Sequence, residues 1–251
     1  MSNRDFESLL SIAKESALSA GEFLSCDIQA NRKINKEFAH DVKIEADIQS
    51  ERMILDYLMK KSDFSILSEE KGFIQRRETD FLWIIDPVDG SLNYSQNIPL
   101  CCVSIGLWRG REPILGVIYD FNRKEMFYGI AGKAAWLNGS LIAVSKKSIL
   151  QKSILMTGFP VNIDLSKESI NMFIQQLQDY RKVRMIGSAA LSLAYVAAGR
   201  ADAYYEKQIM LWDIAAGVAI VLGAGGKTNI QETEIPNCFN VYIANGCLTG
   251  A

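Results

Sequence analysis

Residues 81–93, Phe-Leu-Trp-Ile-Ile-Asp-Pro-Val-Asp-Gly-Ser-Leu-Asn, constrain this chain more than any other stretch. An apolar run from Phe81 to Ile85 reads as a buried strand and delivers two carboxylates, Asp86 and Asp89, into a turn made by Pro87 and Gly90. Proline fixes φ and has no N–H for a ladder, so the strand is expected to stop at Asp86, with both acids at a sheet edge. Two neighbouring carboxylates repel unless a proton or a cation joins them. Hard oxygen donors facing water suit Mg²⁺. An ordinary Asp-Pro turn accounts for the same residues, so the rest of the chain has to decide between the two.

Ahead of that stretch, Phe6, Leu9, Leu10, Ala13, Ala17 and Ala20 recur at helical spacing, and Ile48, Met53, Ile54, Tyr57 and Leu58 suggest a second helix over 46–60. Asp47 and Glu51 fall near the start of that helix, where acids suit the dipole. Residues 25–40 are polar and read as loop or a weak strand pair. A short strand over 64–67 runs into Glu69-Glu70, which is either a solvated loop or part of one site with the later acids. Runs over 101–108, 114–119 and 125–130, separated by turn residues, predict an antiparallel meander, and Trp136-Leu137 a strand entering a turn.

The second half changes character. Strands are expected over 154–157, 183–186, 201–206 and 241–244, and helices over 167–180, from an opening at 187–190 to 198, and over 211–222. Gly223 to Gly226 follow a helix, so they read as its C-cap and not as a phosphate loop. The alternation predicts a layered α/β architecture. No flexible linker interrupts the 251 residues, which are read as one domain with halves at about 1–145 and 146–251.

Composition removes several function classes. A formal net charge of −2 supplies no cationic field for a nucleic-acid polymer or an anionic membrane. Five cysteines without a CxxC pair, and a single histidine, argue against zinc and against a disulfide framework. The apolar stretch 211–226 carries Asp213 and is too short to span a bilayer. With a polar N-terminus, these features lead us to expect a reduced, cytoplasmic setting.

Taken together, Asp47, Glu69-Glu70, Asp86-Pro87-Val88-Asp89-Gly90-Ser91 and Trp212-Asp213 closely resemble the inositol monophosphatase family of lithium-sensitive, Mg²⁺-dependent phosphatases. Gly187-Ser188-Ala189 and the run 201–206 extend the resemblance over nearly the whole chain. It implies an α/β/α/β/α layered sandwich, a homodimer, and two or three Mg²⁺ ions. By position, Glu69, Asp86 and the Val88 carbonyl resemble ligands of one ion, and Asp86, Asp89 and Asp213 ligands of a second. Glu69 would also reach a third ion through water, while Glu70 is less direct. Ser91 with Asp47 would orient and deprotonate the attacking water. Gly90 and Ser91 N–H groups would hold phosphate oxygens, and Asp89, Ala189 and Glu206 would bind substrate hydroxyls.

The chemistry suits those residue types. A phosphate monoester is a dianion, which a hydroxide approaches only once cations neutralise the repulsion. The implied substrate is an inositol monophosphate or a related polyol or sugar phosphate. A 3′(2′),5′-bisphosphate nucleotidase, a fructose-1,6-bisphosphatase and a non-catalytic regulatory member are the alternatives. Ser91-Leu92-Asn93-Tyr94 resembles the inositol-phosphatase form of the motif, and Glu206 favours a hydroxyl-rich substrate, although it also fits as the acid closing a strand. Three departures from the family pattern stand out: Lys43-Ile44 replaces Val-Thr, Met210 replaces a histidine, and the customary last helix is not expected after Asn245-Gly246.

Overall fold

The computed structural model describes residues 3–26, 34–37, 42–159 and 166–248. The chain opens with helix α1 (Asn3–Ser25), a strand pair β1 (Ile34–Glu37) and β2 (Val42–Ile44), and helix α2 (Glu45–Lys61). Strands β3 (Ser65–Ser68), β4 (Gly72–Ile74) and β5 (Phe81–Asp89) follow, then a five-residue helix α3 (Ser91–Ser95). The meander comprises β6 (Cys102–Arg109), β7 (Glu112–Asp120), β8 (Glu125–Ile130), β9 (Ala134–Leu137) and β10 (Ser140–Ile142). The second half contributes β11 (Ile154–Thr157), α4 (Lys167–Gln178), β12 (Lys182–Arg184), α5 (Ala189–Ala197), β13 (Ala203–Met210), α6 (Leu211–Gly223), β14 (Lys227–Glu232) and β15 (Cys238–Ala244).

Besides the two-stranded β1-β2 pair, these elements form two larger sheets, ordered β10-β9-β8-β7-β6-β5-β3-β4 and β12-β11-β13-β15-β14. Helices α1 and α2 cover one face of the larger sheet, packing Ala13, Ala17, Ile54 and Leu58 against Trp83, Ile85, Val103 and Ile105. Helices α5 and α6 fill the space between the sheets, with Leu191, Ala194, Ile214 and Val218 against Ile84, Ile118, Tyr204 and Ile243. Beyond the smaller sheet, Leu177 of α4 and Tyr180 pack against Leu155 and Ala203. The result is the expected α/β/α/β/α sandwich.

The register of β5 differs from expectation in a consequential way. The strand does not stop at Asp86 but continues to Asp89, and it lies inside the sheet between β3 and β6, not at an edge. Asp86 pairs with Ser104 and Asp89 with Cys102, so one extra residue is accommodated on β5 between them. That is a β-bulge, and a proline inside a bulge deprives no ladder of a donor. In a regular strand, residues three apart point to opposite faces. The extra residue restores both acids to the face toward α6.

Helix α2 also sits differently from its simple apolar pattern. Ile48 is exposed, whereas Asp47, Ser50 and Glu51 are buried with Ile54, Leu55 and Leu58. The acidic end of the helix therefore faces inward. Strand β14 went unpredicted because it is an edge strand with almost no buried positions to create a period-two pattern. Residues 27–33 and 38–41, and the side chains of Lys43 and Ile44, lie outside the described residues.

Helix α6 lies directly on the large sheet because three glycines form a track beneath it. Gly106, Gly116 and Gly129 are cross-strand partners on β6, β7 and β8. A Cβ at Gly116 would sit 2.1 Å from the Ala216 carbonyl oxygen, and one at Gly106 3.0 Å from the Ala215 carbonyl carbon. Trp108 Nε1 donates to the Ala215 carbonyl at 3.1 Å and fixes the helix along the track. Gly116→Ala should therefore lift α6 and cost about 2 kcal/mol or more, in line with overpacking of well-filled cores. Urea denaturation checks this, and a variant as stable as the parent would show that the close approach is not required.

Candidate active site and metal centre

The site gathers at the carboxyl end of β5 and the amino ends of α5 and α6. Asp86, Asp89 and Asp213 each offer a carboxylate oxygen, and these oxygens lie within 4.8 Å of one another. Asp213 is at the third position of α6 and accepts the Met210 N–H at 3.2 Å, closing the first turn of its own helix. Asp86 accepts the Val88 N–H at 3.0 Å, which shapes the bulge. Asp89 reaches the amino end of α5, where the N–H groups of Ala189 and Ala190 both point to it, the latter at 2.9 Å. An acid there is favoured by the helix dipole and by otherwise unpaired N–H groups.

Two further donors to Asp89 were not anticipated. Ser188, the N-cap of α5, donates its hydroxyl to Asp89, and the Cys102 thiol lies 3.7 Å away as a second donor. Serine immediately before a helix was a legible signal for the cap, but not for the bond across the fold. Burial and the neighbouring acids push the Cys102 thiol well up, so it is a neutral donor and not a thiolate ligand.

The other expected residues surround this cluster. Ser91 Oγ is 2.9 Å from Asp47 Oδ1 and 2.8 Å from the Val88 carbonyl oxygen, two acceptors for one hydroxyl proton. Asp47 is buried at the start of α2, so it is more than a residue complementing a dipole. Gly90 caps α3 at φ 89°, a left-handed conformation natural to glycine. Glu69 follows β3, with its N–H on the Ile85 carbonyl at 3.2 Å, and its charge acts on both Asp86 and Asp213. Glu206 on β13 accepts the Tyr204 hydroxyl at 2.6 Å, and the Gly158 N–H also points to it. Ala189 enters through its backbone N–H. Asn93 is occupied elsewhere, its amide donating to the Leu100 and Ile186 carbonyls at 2.8 Å each and tying α3 to the loop before α5.

The donor set fits Mg²⁺. Among the described residues, Asp86, Asp89 and Asp213 take part in no salt bridge, so no lysine or arginine neutralises them. The chain's single histidine, His40, lies outside the described residues, and the cluster offers oxygen alone. Hard oxygen donors without imidazole or thiolate favour Mg²⁺ over softer metals.

The pattern of the inositol monophosphatase family matches residues 5–246. The chain belongs to this family. It is 39% identical over 231 residues to an inositol-1-monophosphatase from a Synechocystis species, covering 91% of this chain and 80% of the relative. It is 36% identical over 230 residues to the Nus factor SuhB of Pasteurella multocida, covering 87% of this chain and 83% of the relative. The solved structure of inositol monophosphatase from Anabaena (Nostoc) sp. PCC 7120 superposes with a TM-score of 0.84 at 36% identity, covering 97% of this chain and 92% of that one. Family membership and the acidic cluster together support phosphate-monoester hydrolysis. No helix among the described residues is long and apolar enough to cross a membrane.

Electrostatics make the metal-free form of this family member sensitive to pH. Burial pushes the Asp86 carboxyl well up, reinforced by Glu69, Asp89, Asp213 and Asp47. Asp213 is likewise pushed well up by burial, Glu69 and Asp89. Asp89 is pushed up by burial to about 6, even though Ser188 and the α5 N–H groups oppose the shift. A carboxyl whose pKa is raised by folding holds its proton more tightly folded than unfolded. Stability then falls as pH climbs from the unfolded value through the folded one. Without metal, the melting temperature should drop between about pH 4 and pH 6 or above. A cation held by this cluster would bind the ionised carboxylates, so the stabilising effect of Mg²⁺ should be larger at pH 8 than at pH 5. Thermal melts with and without Mg²⁺ across that range check both signs, and a Mg²⁺ effect that shrinks as pH rises would contradict the reading.

Proposed function

We propose that this protein hydrolyses the phosphate monoester of inositol or of a related polyol or sugar, using Mg²⁺ and an attacking water. The juxtaposition of the Asp86–Asp89–Asp213 cluster with the Ser91–Asp47 pair carries this reading. Glu69, Asp86 and the Val88 carbonyl would hold one ion, and Asp86, Asp89 and Asp213 a second, with Glu69 near a third. Bound Mg²⁺ acidifies water and neutralises phosphate and leaving-group charge.

The remaining work falls to the chain itself. Ser91 donates its proton to Asp47, which leaves its oxygen free to accept from the nucleophilic water. Asp47 thereby becomes the ultimate proton acceptor, through one serine. Gly90 and Ser91 sit where backbone N–H groups would orient the phosphate oxygens. Glu206 is pushed up by burial to about 7, with Asp89 reinforcing the rise, while Tyr204 and the Gly158 N–H hold it in place. A carboxyl of that pKa can accept from or donate to a hydroxyl, which supports a polyol over a second phosphate at that position. A bisphosphorylated substrate would set a further negative charge near Glu206 and Asp89, which this arrangement disfavours.

Purified protein with Mg²⁺ should release phosphate from inositol 1-phosphate, and Asp89→Asn should abolish the release. Ser91→Ala should lower kcat by about 10²-fold or more with little change in KM, the size expected for a lost proton relay. Turnover of 3′(2′),5′-bisphosphonucleotides or fructose 1,6-bisphosphate should be slower. A kcat/KM favouring a nucleotide would overturn the substrate assignment, and an Asp89→Asn variant of parental rate would overturn the site.

A further inference from the structure

Helix α2 carries a second buried acid that the chemistry above leaves unused. Glu51 lies one turn beyond Asp47 and is 1% exposed. Its Oε1 accepts the Ser68 hydroxyl at 2.6 Å and the Lys71 N–H at 3.0 Å. Its Oε2 lies 3.8 Å from Lys71 Nζ, on a lysine side chain that is half exposed. Ser68 ends β3 and Lys71 follows the turn, so these contacts bracket Glu69-Glu70 on both sides.

Burying a carboxylate is unfavourable unless its hydrogen bonds are met and put to use. Here they are spent on holding a two-residue turn. Glu69 is fixed on its other side by its N–H on the Ile85 carbonyl, from the strand that continues into Asp86. The turn is therefore tied to α2 and to β5 at once. Through these ties α2 sets two arms of the site, with Asp47 on Ser91 and Glu51 on the Glu69 turn.

We propose that Glu51 is a positioning residue for Glu69, holding that carboxylate toward Asp86 so that the cation site is formed before the cation arrives. The inference rests on the reading of Glu69 as a Mg²⁺ ligand. Glu51 is not itself a ligand, because its oxygens are committed to Ser68 and Lys71. A purely structural role would lower stability and leave the Mg²⁺ requirement unchanged. A positioning role raises the Mg²⁺ requirement and is rescued by glutamine, whose amide oxygen accepts from the same two donors.

The test titrates Mg²⁺ against melting temperature for the parent, Glu51→Ala, Glu51→Gln and Glu69→Gln proteins, with Lys71 amide exchange measured without metal. Glu51→Ala should raise the Mg²⁺ midpoint about tenfold, the range for lost partners of metal ligands, and Glu51→Gln should stay close to the parent. Lys71 amide exchange should quicken in Glu51→Ala and not in Glu51→Gln. A parental midpoint in Glu51→Ala, alongside a raised one in Glu69→Gln, overturns the proposal. A parental midpoint in Glu69→Gln means that the ligand reading itself fails, and this inference with it. Should Glu51→Ala not fold, Ser68→Ala replaces it: a raised midpoint supports the proposal and an unchanged one overturns it.

Discussion

The structure is arranged around one electrostatic conflict: three carboxylates with oxygens within 4.8 Å, taken largely out of water and, among the described residues, given no basic partner. Left ionised, such groups repel strongly because little solvent screens them. Protonation or divalent cations resolve the conflict, and the second resolution gives a site that can neutralise a phosphate dianion. The surrounding scaffold works against the repulsion. The bulge, the amino end of α5 and the residue capping α6 each supply an N–H to one of the three acids.

Holding Asp213 against the other two acids requires α6 to press onto the large sheet. The glycine track across β6, β7 and β8 makes that approach possible, because any side chain there would meet the helix backbone. Packing and chemistry are thus one constraint: the same contact that closes the core between the sheets brings Asp213 to the other two acids. On the opposite face, α2 reaches the site from the outer layer, turning Asp47 and Glu51 inward where an ordinary amphipathic helix would place apolar residues.

Much of this was legible in the residue pattern. Long periodic elements such as α1, α6 and the β6–β8 meander followed from apolar spacing, since their burial is one-sided or complete. Elements with weak burial left no such imprint, and β14 is the example. For the site, the residue types announced the chemistry: acids with scarce histidine and no CxxC pair point to oxygen ligation of a hard cation. Partners distant in sequence did not announce themselves. Ser188 on Asp89 and Glu51 on the Glu69 turn join residues whose proximity arises only from folding.

The Asp-Pro-Val-Asp-Gly-Ser run shows where the division falls. By itself the sequence determined that two carboxylates would end a buried strand beside a glycine that can take positive φ, and that the chain would be a layered α/β protein. It did not determine which way those carboxylates would face. Residues three apart on a strand point to opposite sides, and only the pairing of β5 with β6 inserts the extra residue that brings Asp86 and Asp89 to one side. Only the seating of α6 on the glycine track then adds Asp213. Pairing register and helix seating are long-range, which is why the tertiary structure decided that this turn joins a three-carboxylate cluster suited to a cation.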